Sequence, residues 1–203
     1  RAVHDASSAE LGDKYYTGAV RALLRAKYDA TPKPPLPACC GSREPDAADG
    51  YVAVHIRRGD VDAAGQFARR YTPDAAYATL LEQLAARHAG LPIIICSQGM
   101  PAEFSPSLAE ACLAGGVELR WLLDAELPET FHVLVNASAL LVARSSLSYC
   151  AALLSQGRVY ADCIRDWWHA PLPSWATLLE DEHAAVAAHR RVQDDAWRRE
   201  WGA

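Results

Sequence analysis

The chain lacks more than it advertises. It has no surplus of positive charge: 20 Lys and Arg stand against 25 Asp and Glu, a net charge of -5, which argues against nucleic acid as a main partner. No apolar run approaches the ~20 residues of a membrane-crossing helix, and no basic segment followed by an apolar stretch opens the chain. Neither a GxGxxG nor a GxxxxGK[ST] loop occurs, which disfavours dinucleotides and P-loop nucleotides. The six cysteines (39, 40, 96, 112, 150 and 163) include no CxxC pair, and no HxxxH is present, so a zinc site is not expected. There is no internal repeat and no low-complexity tract.

What remains is the composition of a globular protein, 51% apolar and 22% charged over 203 residues, long enough to bury a core. The pattern along it is regular from residue 51 onward. A first helix is expected over Ala9 to Tyr28, capped by Ser8, with Val20, Leu23, Leu24 and Tyr28 at helical spacing. Residues 29–50 hold five of the twelve prolines and the Cys39-Cys40 pair, and read as a linker or surface loop. Apolar strands are then expected at 51–56, 92–96, 117–123, 139–143 and 158–161.

Helices separate these strands. Thr72-Pro73 and Ser105-Pro106 each place a cap before a proline, Gly115-Gly116 ends the second of these helices, Pro128 opens a third, and a short fourth covers Ser146 to Ser155. A final helix is expected from about Ser174. Strands alternating with helices imply βαβ units and a doubly wound, parallel α/β sheet of Rossmann-like type. Cys96, Cys112 and Cys150 fall in apolar patterns and read as buried thiols. Cys39, Cys40 and Cys163 lie in expected loops, open to oxidation in a secretory compartment.

The richest segment is Val54-His55-Ile56-Arg57-Arg58-Gly59-Asp60. It closes the first strand, at the carboxyl edge where open α/β sheets bind ligands. Two neighbouring arginines there need an anion, and a planar guanidinium binds diphosphate oxygens bidentately. His55 and Arg57 share parity and hence a face, while Arg58 turns the other way and is expected to brace the loop against Asp60 or Asp62. The bland alternative is a pair of arginines closing a strand with surface salt bridges. Arg58-Gly59-Asp60 also matches a cell-adhesion tripeptide, a signal too short to use.

A second cluster, Arg144-Ser145-Ser146-Leu147-Ser148, joins the fourth strand to its helix. Hydroxyls and free N–H groups at a helix N-terminus suit an anion, with plain capping by Ser145 or Ser146 as the alternative. Asp124, after the third strand, is placed either to accept paired N–H bonds from a guanine edge or to cap a helix. Asp166-Trp167-Trp168-His169 offers rings for stacking, although two Trp before a final helix more often fill a core seam.

Val54 to Asp60, together with Leu140-Leu141-Val142-Ala143-Arg144-Ser145-Ser146-Leu147-Ser148-Tyr149-Cys150-Ala151-Ala152-Leu153-Leu154, resembles the α1,2-, α1,6- and protein O-fucosyltransferase superfamily, the α1,2 enzymes most closely. The likeness covers roughly residues 51 to 168. Leu147 and Tyr149-Cys150 depart from the aromatic residues usual in the second motif.

The resemblance implies the nucleotide-binding half of a GT-B glycosyltransferase and an inverting transfer of fucose from GDP-fucose to a glycan or glycoprotein acceptor, with no metal or other cofactor. It implies donor contacts from His55, Arg57, Arg58, Asp124, Ser145 and Ser146: Arg57 on the β-phosphate, His55 on the nucleotide, Asp124 on guanine, and Ser145 or Ser146 on the phosphates. Arg57, Asp60 and Asp62 are then the catalytic candidates, with the general base open between the two aspartates or elsewhere. Residues 1–50 would be a remnant of, or a link to, an N-terminal acceptor domain, and residues 51–203 the GDP-sugar-binding domain. The expected location is the Golgi or secretory lumen with any membrane contact through an absent N-terminal anchor, or the cytoplasm for a bacterial protein. A catalytically silent GDP-binding or interaction module on the same scaffold is the alternative.

Overall fold

A computed structural model describes residues 15–41, 50–164 and 171–179. Five strands, β1 (Val52–His55), β2 (Ile93–Ser97), β3 (Leu119–Leu123), β4 (Ala139–Leu141) and β5 (Arg158–Tyr160), form one sheet in the order β3-β2-β1-β4-β5. Every pairing is parallel. The helices are α1 (Gly18–Ala30), α2 (Asp74–Arg87), α3 (Ser107–Ala114), α4 (Leu127–Asn136) and α5 (Ser146–Leu154). The chain runs outward from β1 through β2 to β3, then returns through α4 to β4 beside β1. This is the doubly wound α/β arrangement that the alternation of elements predicts.

Two cores follow from strand parity. Val52, Val54 and Ile56 face α2 and α3 with Ile93, Ile95, Leu80, Leu81 and Leu108. Tyr51 and Ala53 point the other way, toward α4 and α5, with Ile94, Leu134, Leu140 and Ala152. The central strands are apolar on both faces because helices cover both, so no polar alternation survives. By the same parity His55, and Arg57 beyond it, turn toward the α4–α5 side.

Several boundaries shift. Pro73 occupies the N-cap position of α2, one residue later than the expected Thr72 cap, and its carbonyl accepts from Ala76 and Tyr77. β4 ends at Leu141, but Val142 still donates to the Tyr160 carbonyl at 3.1 Å. The helix expected over 9–28 is broken at its middle: Tyr16 lies outside a helix, and Thr17 caps α1 by accepting from the Val20 N–H at 3.3 Å. A β-branched hydroxyl residue just before Gly18 competes for backbone donors and starts a new helix there. The Ser8 cap lies outside the described residues.

No residue of α1 is fully buried, and Leu23, on the expected apolar stripe, is 59% exposed. The helix docks through polar groups instead. Arg25 donates to the Leu154 carbonyl at 3.0 Å, and the Tyr28 hydroxyl meets His132 Nδ1 and the Asn136 amide on α4.

The expected helix from Ser174 is not seen over 174–179. Those residues form a turn and a parallel bridge from Ala176 to Tyr160, and the rest of it lies outside the described residues. The turn is held by buried Asp162, whose carboxylate accepts from the Leu178 and Leu179 N–H groups. Cys150 is exposed rather than buried, because it falls on the outer face of α5, and all six cysteines are free thiols. Cys40 and Cys163, expected in open loops, are both buried in single 3₁₀ turns. Arg120 holds the first of these turns by donating to the Cys39 and Gly41 carbonyls.

Candidate anion-binding cleft at the sheet's switch point

Chain direction reverses between β1 and β4, where connections leave toward opposite edges of the sheet. Such a point opens a crevice beyond the strand ends. Here it holds a cavity of about 280 Å³, lined by His55, Arg57 and Arg58 from the end of β1, Ser97 and Gln98 from β2, and Asp124 and Ala125 from β3. Leu127 and Thr130 of α4 and Leu147 of α5 close it. A shallower apolar groove adjoins it, sharing Leu127 and Leu147 and adding Pro128, Phe131, Ser146 and Cys150.

The two arginines have separate jobs. Arg57 is partly exposed and pairs with the half-exposed carboxylate of Asp60, its Nη2 lying 2.6 Å from Oδ1 and 2.7 Å from Oδ2. Its Nε is buried and has no hydrogen-bond partner. A buried donor left without an acceptor costs desolvation, and the Nε groups of Arg21 and Arg120 share that condition.

Arg58 is committed elsewhere. It donates to the Arg57 and Thr72 carbonyls at 2.9 and 3.0 Å, pairs with Asp74 Oδ1 at 2.5 Å, and lies over the Tyr71 ring at 4.4 Å. Its expected pairing with Asp60 or Asp62 is therefore not what forms. Asp74, in the first turn of α2, also accepts from the Ser105 N–H at 2.7 Å. It gains from the helix dipole and sits nearer the outward-turned Arg58 side chain than the loop aspartates do. One edge of Arg58 borders the cavity, but its charge is already balanced. Its strongest geometric role is to hold the Arg57 backbone.

His55 is 5% exposed, and its Nδ1 is buried without a partner. Burial first, and then the adjacent Arg57 charge, push its pKa down to about 3, so the ring is neutral near pH 7. Gly59 has φ of +79°, and a Cβ there would stand 2.3 Å from Gln98 Oε1. Glycine thus lets the loop turn tightly against a cavity-lining carboxamide.

Asp124 does not cap a helix. Glu126 occupies the N-cap position of α4, without a side-chain bond. Asp124 adopts φ of +50°, a left-handed conformation that Asp tolerates better than most residues. Its Oδ1 accepts from the Gly99 N–H at 3.2 Å, tying the ends of β2 and β3 together at the cavity wall.

The second cluster contributes less than its sequence suggests. Ser145 is the N-cap residue of α5, yet its side chain makes no capping bond. Ser148, one turn inside, accepts from the Ala143 N–H and donates to the Ala143 and Ser145 carbonyls, which ties the end of β4 to the helix without capping it. Ser145 is buried and Ser146 lies in the apolar groove, so neither lines the cavity. Asp62 accepts from the Ala64 N–H at 2.8 Å and the Gly65 N–H at 2.5 Å, which makes it an organiser of its own loop.

His55, Arg57, Arg58 and Asp124 are thus brought to one cavity. Asp60 reaches it only through Arg57, and Asp62, Ser145 and Ser146 stand outside. Asp166 to His169 lie outside the described residues. Sequence reasoning missed Gln98, Thr130 and Asp74. Gln98 follows β2 directly, so the strand-end rule that singled out Arg57 and Asp124 would have found it. Thr130 carried no local signal.

Among the described residues, no group of three or more His, Cys, Asp or Glu is placed to hold a metal ion, and no helix is long and apolar enough to cross a membrane. The described residues form a doubly wound α/β domain with a cleft at its switch point, bordered by two ion-paired arginines and Asp124. No protein-family model matches the chain, and no curated protein matches it.

Proposed function

We propose that the chain is the donor-binding half of an inverting, metal-independent fucosyltransferase of GT-B type, which uses GDP-fucose and passes fucose to a glycan or glycoprotein hydroxyl. The sequence likeness over residues 51–168 supports this reading. The observation that carries it is Arg57: a partly exposed guanidinium that lines the strand-end cavity and whose buried Nε–H has no partner. A diphosphate in that cavity would offer acceptor oxygens to the guanidinium.

In such a transfer the acceptor oxygen bonds to the sugar's anomeric carbon as the bond from that carbon to the β-phosphate oxygen breaks. The bonding pair leaves on the diphosphate, where negative charge grows. A guanidinium fixed beside it stabilises that charge more than the starting state, which is what lowers a barrier. Asp124, Gln98 and Thr130 would offer acceptors and donors to the nucleobase edge. The hydroxyl proton goes to a base. Asp60 is held by Arg57 and Asp62 by loop amides, so either takes the proton only after giving up its present partner.

That occupancy of both aspartates favours the rival reading, a module that binds the nucleotide sugar without transferring it. Calorimetric titration of GDP and GDP-fucose into wild type and Arg57→Ala, without added metal, tests the shared donor site. Micromolar binding lost in the variant is expected, and equal binding in both proteins refutes it. Release of fucose or its transfer to an offered glycan then separates enzyme from module.

A further inference from the structure

His55 is neutral for two reasons, its burial and the adjacent Arg57 charge, and a bound anion offsets the second. Its ring lines the cavity wall beside Arg57, it is 5% exposed, and its Nδ1 has no partner. The charged and titratable groups around it can be named element by element. On its own strand end, Arg57 opposes a second positive charge. Arg58 is balanced by Asp74 at the start of α2, and Asp60 is spent on Arg57.

From α2, the Tyr77 hydroxyl donates to the His55 carbonyl and leaves the ring alone. Cys96 of β2, level with His55 in register, has its thiol pKa raised by burial and stays uncharged. Asp124 lines the cavity from the end of β3 and is tied to Gly99. The residues that α4 and α5 bring to the cavity, Leu127, Thr130 and Leu147, carry no charge.

We propose that a diphosphate bound in this cavity brings a proton in with it, taken up on the His55 imidazole, so that anion binding at the β1 edge is linked to pH. The inference rests on reading the cavity as a diphosphate site. A phosphate dianion on Arg57 cancels the repulsion that this guanidinium exerts on the ring. It also places negative charge beside a cavity-lining ring whose buried Nδ1 has no partner. Both effects favour the imidazolium. The linkage has a definite sign: where binding takes up a proton, affinity rises as pH falls, by at most about tenfold per pH unit for one group. The phosphate's own ionisation near pH ~6 acts in the opposite direction, so the comparison must be between proteins at one pH.

The test is calorimetry at pH 6 with inorganic pyrophosphate and then with GDP, each in two buffers of different ionisation enthalpy, on wild type and His55→Asn. The difference in observed binding enthalpy between buffers, divided by the difference in their ionisation enthalpies, gives the protons exchanged. Wild type should take up more protons than the variant, and the His55 ring nitrogens in ¹⁵N-labelled wild type should move from neutral to protonated shifts on adding pyrophosphate. Equal proton counts, or a ring that stays neutral in the complex, overturn the linkage while leaving the diphosphate site standing. Failure of wild type to bind either ligand overturns both. The wild-type ring spectrum carries the test whether or not His55→Asn folds.

Discussion

Adjacent arginines with different partners should respond very differently when each loses its carboxylate. Arg58 and Asp74 are both only 15% exposed at the side chain, whereas Arg57 is 27% and Asp60 46% exposed. Removing one partner of a buried pair costs about 3–5 kcal/mol, because the survivor is left charged and unpaired. In Asp74→Ala the Arg58 guanidinium keeps two carbonyls and the Tyr71 face, which softens that loss. Against this, the Ser105 N–H loses its acceptor, and α2 loses its first-turn acid, worth roughly 0.3–1 kcal/mol.

About 3 kcal/mol is therefore expected for Asp74→Ala. Asp60→Ala removes an exposed pair and should cost about 1 kcal/mol or less, shrinking further in salt. Urea unfolding of both variants beside wild type, at low and high salt, measures the contrast. Equal destabilisation within about 0.5 kcal/mol, or a larger loss in Asp60→Ala, would show that the division of labour between the two guanidiniums is wrong.

The remaining expectations concern backbone, protons and thiols. A Cβ on Gly157 would stand 2.2 Å from the Ala137 carbonyl oxygen and 2.6 Å from that of Ser138. Both are backbone atoms flanking β4 and cannot swing away, so Gly157→Ala should cost about 1–3 kcal/mol by urea unfolding. His55 has a folded pKa of about 3 against roughly 6.5 in the unfolded chain. The unfolded chain therefore binds this proton first, and stability present above pH ~6.5 is lost as pH falls toward 3. Between pH 7 and 4.5 wild type should lose about 2–3 kcal/mol more than His55→Asn, read by urea unfolding at both values. In thiol labelling of the native protein, exposed Cys150 should react first, while buried Cys96, Cys112 and Cys163 react only on unfolding.

How much of this was written locally can be judged element by element. All five strands fall where apolar runs bounded by Gly, Pro or charge place them, because a strand covered on both faces must be apolar throughout. The common face of His55 and Arg57 follows from the two-residue repeat alone. Helix starts at Pro73, Pro106 and Pro128 were legible to within about a residue, since proline cannot enter a helix later than its first turn without losing a bond. The expected start of α1 failed because Thr17 caps a new helix at Gly18, and that helix still carries Val20, Leu23 and Leu24. Cys150 failed because α5 is apolar nearly all round, so periodicity did not mark its outer face.

The sequence by itself determined the alternation of elements, the parallel sheet and the presence of charged groups at its carboxyl edge, since each depends on local spacing and backbone sterics. Tertiary structure alone decided which charges are spent and which are available. Arg58 found Asp74 sixteen residues away, Ser148 bound the Ala143 backbone, and Asp60 closed on Arg57. Pairing depends on which groups the packed helices bring within about 3 Å, and on the burial that makes an unpaired one costly. Neither quantity is encoded in neighbouring residues.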